Sequence, residues 1–94
     1  MDKLIVLYTM NGCPHCETMK QKLNENKISF VERDINVFEK EYDMFTEITE
    51  NDYVPAFMVI ESFEETPKTY FYAPERDFNE LEDGIEILKE HLKK

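Results

Sequence analysis

The sequence is short of basic residues, and this shortage excludes two classes of partner. Eleven Lys and Arg stand against 21 Asp and Glu in 94 residues, which gives a formal net charge of -10. A chain this acidic is repelled by nucleic acid and by anionic membrane surfaces, so neither is expected as a partner. We interpret most of the carboxylates as a solvated surface.

The sequence also lacks a long apolar run. The run nearest the N-terminus covers only Leu4–Tyr8, whereas a signal-peptide core needs about 7–15 apolar residues and a membrane span about 20. We therefore expect a cytoplasmic protein. Only two cysteines are present, and in a reducing compartment such a pair is expected to be catalytic or redox-sensing.

The remaining composition is that of a folded domain. Hydrophobic residues make up 41% of the chain and aromatic residues 13%, which is too much for a disordered acidic tail. A chain of this length forms one core, so residues 1–94 are expected to be a single domain.

Apolar spacing predicts a strand–helix–strand unit at the start of the chain. The β-branched run Leu4–Tyr8 indicates a strand covered on both faces. Pro14 suits the first turn of a helix, and apolar residues spaced three and four apart continue it to residues 24–26. Residues 28–32 alternate as a second strand, which should run parallel to the first with a right-handed crossover.

A second helix, a hairpin and a third helix are predicted to follow. The second helix covers roughly residues 37–49, with a buried stripe of Phe38, Tyr42, Phe45 and Ile48. Residues 56–61 and 68–72 are strand-like runs joined by a short polar loop, which predicts an antiparallel hairpin.

Asp77 is predicted to cap the third helix, with Glu80 as its partner. The buried face of this helix is expected to consist of Phe78, Leu81, Ile85, Leu88 and Leu92. The element order is then β-α-β-α-β-β-α, an α/β domain with a four-stranded mixed sheet flanked by three helices.

The two cysteines, Cys13 and Cys16, open the first predicted helix. A helix N-terminus favours a thiolate over a thiol, and one turn separates the two sulfurs, which is close enough for a disulfide. A structural zinc site would need further ligands, and the chain offers only His15 and His91. The Cys-x-x-Cys pair inside a βαβ unit therefore favours redox chemistry and predicts no metal site.

Three segments together resemble the glutaredoxin branch of the thioredoxin-like proteins. They are Leu-Tyr-Thr at 7–9, Cys-Pro-His-Cys at 13–16 and Tyr-Val-Pro-Ala-Phe at 53–57. The family pattern has Cys-Pro-Tyr-Cys and Thr-Val-Pro in the latter two places. The resemblance covers nearly the whole chain, and it implies a thioredoxin-like fold and disulfide exchange.

The resemblance also implies roles for single residues. Cys13 would be the nucleophilic thiol and Cys16 the resolving thiol. Pro55 would be the family's cis-proline facing the cysteines, with the backbone of Val54 free to pair with a bound substrate. Without the resemblance, Pro55 would be interpreted as a trans-proline that starts an edge strand.

Pro14 and His15, the dipeptide between the cysteines, are expected to tune the nucleophile. A protonated His15 would add positive charge beside the thiolate, and the same dipeptide occurs in the strongly oxidising DsbA proteins. We hypothesise a more oxidising couple than in a Cys-Pro-Tyr-Cys relative. The alternative is that His15 only occupies a variable position facing solvent.

The resemblance implies glutathione as a co-substrate and no tightly bound cofactor. The residues expected to contact glutathione or another substrate are Tyr8, Met10, Tyr53, Val54, Pro55, Arg76 and Asp77. Where glutathione-using relatives carry cations or a Gly-Gly-x-Asp segment, this chain has Met10, Asn51-Asp52 and the segment 76–79. These departures should weaken capture of the anionic tripeptide, unless Arg76 or the N-terminus of the last helix compensates.

Three functional interpretations remain open. The protein is a dithiol glutaredoxin reduced by glutathione, or a glutaredoxin-like donor reduced by thioredoxin reductase that serves an enzyme such as ribonucleotide reductase. The third is a non-catalytic binding module or an iron–sulfur-bridged dimer, although iron–sulfur-binding relatives favour Gly or Ser where this chain has Pro14. The expected partners are disulfide-containing proteins with basic patches, and the expected state is a monomer.

Overall fold

The computed structural model describes residues 2–51, 53–63 and 66–93. Seven elements follow one another in the predicted order. They are β1 (Asp2–Thr9), α1 (Pro14–Glu25), β2 (Val31–Asp34), α2 (Glu39–Thr49), β3 (Ala56–Phe63), β4 (Thr66–Tyr72) and α3 (Leu81–Lys93). The α/β class predicted from the sequence is confirmed.

The four strands form one mixed sheet in the order β2-β1-β3-β4. β1 runs parallel to β2 and antiparallel to β3, and β3 and β4 form the predicted antiparallel hairpin. β1 is central, and its residues Ile5, Val6, Leu7 and Tyr8 are each at most 3% exposed. The prediction of a strand covered on both faces is therefore confirmed.

Helices cover both faces of the sheet because successive β1 side chains point to opposite sides. Ile5 and Leu7 pack against apolar residues of α1 and α3. Val6 and Tyr8 pack against Tyr42 and Phe45 of α2. The fold thus places α1 and α3 side by side, and the start of each lies beside the candidate site described below.

Gly84 allows α3 to approach the sheet closely. A Cβ atom at this position would lie 3.0 Å from Cε of Met19 and 3.2 Å from Cε1 of Phe57. Glycine inside a helix costs about 1 kcal/mol relative to alanine. Glycine is nevertheless favoured here, because a side chain at Gly84 would press on Met19 of α1 and Phe57 of β3.

A buried polar network ties the end of α3 to the hairpin. His91 lies 2.5 Å through Nδ1 from Oε2 of Glu61 and 2.5 Å through Nε2 from the hydroxyl of Tyr72. Glu61 and His91 are at most 5% exposed. Lys3 of β1 donates to the backbone carbonyl of His91. Since buried polar groups need partners, this network fixes how α3 lies across the sheet.

The predicted start of β2 at residue 28 is wrong. Lys27 has a positive φ of 57° and Ile28 donates its N–H to the carbonyl of Leu23 at 2.9 Å. These bonds close the end of α1, so Ile28 is still part of the turn, although its side chain is buried. The strand begins at Val31 instead.

The predicted buried stripe of α2 is correct at its centre and wrong at its ends. Tyr42, Phe45 and Thr49 are the buried residues of this helix. Phe38 precedes the helix with its ring under the Arg33 guanidinium, and Ile48 is 51% exposed. Apolar spacing alone did not reveal that Thr49 satisfies its buried hydroxyl through the carbonyl of Phe45.

The predicted start of the last helix is also wrong. Asp77 does not cap it, because α3 begins at Leu81 and Asp77 accepts the N–H of Ala73 at 2.8 Å. Leu92 is 46% exposed, since His91 takes the buried position in the last turn of α3. Asp77 stabilises the turn that follows β4.

Candidate active site

The two cysteines lie at the start of α1, after the turn that follows β1. Gly12, with φ +78°, turns the chain, and Cys13 occupies the N-cap position with extended φ and ψ of -100° and 105°. Pro14 is at the first helical position, where its missing N–H is not needed. Cys13 and Cys16 form a disulfide with a Cα–Cα distance of 5.2 Å, within the normal range.

The local geometry favours negative charge on the sulfur of Cys13. The backbone N–H of Cys16, which belongs to the first turn of α1, donates a hydrogen bond to Sγ of Cys13 at 3.1 Å. The positive end of the α1 dipole lies at the same place. Cys13 is 8% exposed and Cys16 is 1% exposed, so Cys13 is the cysteine nearer to solvent. This arrangement suits an attacking thiolate at Cys13 with Cys16 behind it.

The Val54–Pro55 peptide bond is cis. Tyr53, the residue before Val54, is held in place by α2, because its carbonyl accepts a hydrogen bond from the hydroxyl of Tyr42 at 3.2 Å. Val54 and Pro55 line a groove of about 430 Å³, and His15 from between the cysteines lines the same groove. His15 and the cis-proline therefore share one cavity, whereas Pro14 and the two cysteines are not among its lining residues.

The comparison with protein families agrees with this geometry. A model of the family described as Glutaredoxin matches residues 5–63, which is more than half of the chain. The chain belongs to the glutaredoxin family. A search of curated proteins and a search of solved structures find no match. Membership and the Cys13–Cys16 pair make the protein a glutaredoxin-like thiol–disulfide oxidoreductase.

Four residues predicted to act at the site of this glutaredoxin lie together in the groove. They are His15, Tyr53, Val54 and Pro55. His15 and Tyr53 are exposed, whereas Pro55 is buried, so the groove has a polar mouth and an apolar floor. The cis conformation of Pro55, which only the resemblance implied, is present.

Tyr8 and Met10 do not line the groove. Tyr8 is 1% exposed and its hydroxyl donates to Glu41 at 2.5 Å, so its side chain lies on the α2 side of the sheet. Burial, followed by the hydrogen bond to Glu41, raises the pKa of the Tyr8 phenol well above its ordinary value. Met10 is exposed, but it is not among the groove residues.

Arg76 and Asp77 also lie outside the groove lining. The guanidinium of Arg76 contacts the carboxylate of Asp77 at 2.7 Å and the carbonyl of Phe71 at 3.2 Å. Together with the bond from Asp77 to Ala73, these contacts hold the turn between β4 and α3. Asp52, one of the departures expected to weaken capture of glutathione, lies outside the described residues.

Most of the groove lining was missed by sequence reasoning. The additional lining residues are Lys22, Pro74, Glu75, Phe78, Asn79, Glu80, Leu81 and Glu82. All but Lys22 belong to the connection between β4 and α3, where relatives carry the Gly-Gly-x-Asp segment, or to the first turn of α3. The position of that family segment could have indicated these lining residues, but the predicted helix start at Asp77 assigned most of them to a helix instead. Lys22 reaches the groove because α1 lies beside α3, and it pairs with Glu82.

The described part of the chain offers neither a metal-binding cluster nor a membrane-spanning helix. No group of three or more His, Cys, Asp or Glu residues there could hold a metal ion. None of its helices is both long and apolar enough to cross a membrane.

Proposed function

We propose that this glutaredoxin reduces disulfides through a dithiol mechanism in which Cys13 attacks and Cys16 resolves. One observation carries the proposal: Sγ of Cys13 accepts the N–H of Cys16 at the start of α1, and His15 of the same segment lines a groove together with the cis Val54–Pro55 pair. The helix terminus favours the thiolate, and the thiolate is the species that attacks sulfur.

In the first step, the thiolate of Cys13 attacks one sulfur of a substrate disulfide. A Cys13–substrate disulfide forms, the substrate S–S bond breaks, and the second substrate sulfur leaves as a thiolate that takes up a proton. The N–H of Cys16, 3.1 Å from Sγ of Cys13, stabilises the attacking charge before the bond forms.

In the second step, Cys16 loses its proton and its sulfur attacks Sγ of Cys13. The Cys13–Cys16 disulfide forms, and the remaining substrate sulfur leaves and is protonated. The dithiol has then lost two electrons and two protons, and the substrate has gained them as two thiols. The Cα–Cα distance of 5.2 Å lies within the range that a disulfide spans.

Val54, Pro55 and Tyr53 are proposed to position the substrate, and Pro14 and His15 to tune the nucleophile. Support comes from their places in the fold: four of them line the groove, and Pro14 begins α1. An extended segment beside Val54 would present its sulfur to Cys13. We expect a cytoplasmic monomer without a tightly bound cofactor.

The electron donor is either glutathione or a thioredoxin reductase. Family membership supports glutathione as the co-substrate. The second donor is favoured by the groove charges, because the carboxylates of Glu75, Glu80 and Glu82 repel the anionic tripeptide. Under the second alternative, the protein would pass electrons to an enzyme such as ribonucleotide reductase.

A paired assay on wild type and two cysteine variants tests the proposal. Reduction of a small mixed disulfide by glutathione is measured beside reduction of insulin with thioredoxin reductase. Cys13→Ser should lower both rates to background, because no nucleophile remains. Cys16→Ser should trap the substrate as a covalent adduct on Cys13, detectable by intact-mass spectrometry, because the second step is lost.

The relative speed of the two wild-type reactions identifies the donor. Wild-type rates equal to those of Cys13→Ser in both assays would overturn the proposal and favour a binding module. A double variant, Cys13→Ser with Cys16→Ser, provides the control for adducts that do not involve the pair.

A further inference from the structure

We infer that the groove lined by His15 and the cis Val54–Pro55 pair selects disulfides flanked by basic residues, so that the preferred substrate is a cationic protein segment. This inference rests on the proposed function, because it names the substrate class of the same site. It follows from the charges of the groove lining and from how the nearby cations are already bound.

Carboxylates dominate the charged part of the groove. Glu75, Glu80 and Glu82 line it and are exposed, so their charges face solvent and any entering segment. Lys22 is the only Lys or Arg among the lining residues that the structure describes. Its ammonium pairs with Glu82, and this bond raises the pKa of Lys22. An entering ligand therefore meets a net negative field.

The cation that could have captured an anionic ligand is bound elsewhere. Arg76 lies in the same connection between β4 and α3, but it contacts Asp77 and the carbonyl of Phe71. Moving it into the groove would break both contacts and leave Asp77 without its charged partner.

The N-terminus of α3 is also unsuited to an external anion. Glu82 and Asp83 lie in its first turn, and the carboxylate of Asp83 accepts the N–H of Glu80 at 3.4 Å. The chain's own acids thus occupy the positive end of this helix. A carboxylate of glutathione placed there would compete with them.

The floor of the groove fits the rest of a basic segment. Val54, Pro55, Phe78 and Leu81 give it an apolar surface, and Tyr53 adds an exposed ring. Lys and Arg lay their aliphatic stems along such surfaces while the charged ends stay near carboxylates. A cysteine with a basic neighbour on either side can therefore satisfy both parts of the groove.

The effect should appear mainly in the rate of association. Exposed charges at the rim of a binding site act on encounter more than on final affinity, and clefts lined by one sign raise on-rates by about 10-fold or more. The Debye length is about 8 Å at physiological salt, so the preference should shrink as salt rises.

The experiment uses three peptide mixed disulfides that differ only in the residues flanking the cysteine. The flanks are Lys and Arg, Ser only, or Asp and Glu, and each cysteine is joined to 2-mercaptoethanol. The reduced full-length protein is mixed with each peptide, and the released peptide thiol is followed by chromatography. Rates with dithiothreitol correct for the intrinsic reactivity of each disulfide. Glutathione disulfide is the fourth substrate.

The expected result is a corrected rate at least about tenfold higher for the basic than for the acidic peptide, by electrostatic steering. Glu75→Gln with Glu80→Gln should reduce this ratio to about twofold or threefold. Glu47→Gln, which removes one exposed charge on α2 across the sheet, should leave the ratio unchanged. If the double variant unfolds, the salt dependence of the wild type replaces it: the basic peptide should slow with salt and the acidic peptide should not.

Equal corrected rates for all three peptides, or glutathione disulfide as the fastest substrate, would overturn the inference while leaving the proposed function intact. A ratio that survives in the double variant, or a wild-type rate of the basic peptide independent of salt, would overturn it as well. Failure to reduce any peptide, with wild type equal to Cys13→Ser, would instead reject the proposed function together with the inference.

Discussion

The two walls of the groove differ in origin and in chemical character. The dithiol wall, formed by His15, Tyr53, Val54 and Pro55, lies inside the stretch 5–63 that matches the glutaredoxin family. The carboxylate wall, formed by Glu75, Glu80 and Glu82, lies outside it. The first wall includes His15, which lies between the two cysteines in the sequence, and the second wall presents carboxylates to an entering segment.

The residues that identify the family and the residues proposed to select the substrate therefore lie in separate parts of the chain. Disulfide exchange needs a thiolate at a helix start and a partner able to resolve it, and the matched stretch supplies both. Selection among disulfides needs contacts farther from the sulfur, and these come from the connection between β4 and α3 and from the first turn of α3. A change in one wall should therefore leave the property governed by the other wall intact.

Gly84→Val should have the largest effect and should act on the carboxylate wall. The new side chain would press on Met19 and Phe57, so α3 must shift and carry Leu81 and Glu82 with it. We expect a loss of about 1–3 kcal/mol in the free energy of unfolding, measured with urea. The preference for basic peptides should fall, whereas the reduction potential should not change.

Glu86→Val is the matched control for Gly84→Val, because it places the same β-branched residue at an exposed position of α3. It should cost at most about 0.7 kcal/mol. Unchanged stability in Gly84→Val would contradict the close approach of α3.

His15→Tyr should have the next largest effect and should act on the dithiol wall. Under the hypothesis that His15 adds positive charge beside Cys13, its replacement destabilises the thiolate, so the couple becomes more reducing. We expect a reduction potential lower by roughly 30 mV, or tenfold in the equilibrium constant. The ratio of basic to acidic peptide rates should not fall, because this variant adds no positive charge to the groove.

Equilibration with glutathione buffers measures this potential. Equal potentials for wild type and His15→Tyr would reject the electrostatic role of His15. The variable dipeptide would then be a solvent-facing position only.

Glu32→Gln should have the smallest effect and should change neither wall. The hydroxyl of Thr9, 2.8 Å away, and then Lys20, at 3.1 Å, lower the pKa of Glu32 from 4.5. A carboxyl with a lowered pKa in the fold adds stability above pH 4.5, and this stability is lost as the pH falls below that value. Because Glu32 is largely exposed, we expect a contribution of only about 0.3 kcal/mol at pH 7.

Urea unfolding of wild type and Glu32→Gln at pH 7 and below pH 4 checks this expectation. The difference between the two proteins should vanish at the lower pH. Glu47→Gln controls for the loss of one negative charge from an acidic surface. A difference that grows on acidification would contradict the assigned direction of the pKa shift.

The sequence allowed the prediction of what depends on local pattern. The run Leu4–Tyr8, the helix start at Pro14 and the hairpin follow from side-chain spacing and turn chemistry, and all three are present in the structure. The pairing of the cysteines followed from their separation. The cis bond before Pro55 did not follow from the residues, because a cis bond is rare before any proline and needed the resemblance to be expected.

The errors arose where tertiary contacts decided the outcome. Asp77 has the residue type and spacing of a helix cap, but Ala73 and Arg76 compete for its carboxylate and delay the helix to Leu81. Tyr8 is adjacent to the active segment in sequence, yet strand alternation directs its side chain to the α2 face. His91 was not expected in the core, because only the fold brings Glu61 to meet it.

The outer strand β4 bears on how this molecule behaves among copies of itself. β4 has a single neighbour, β3, in the described sheet, so one side of its backbone can pair with another chain. Pro67 offers no N–H at the beginning of this strand, and the exposed Lys68 follows it. Both features discourage the addition of a further strand, as in other edge strands that resist aggregation. The expected monomer therefore has a physical reason in the way this sheet ends.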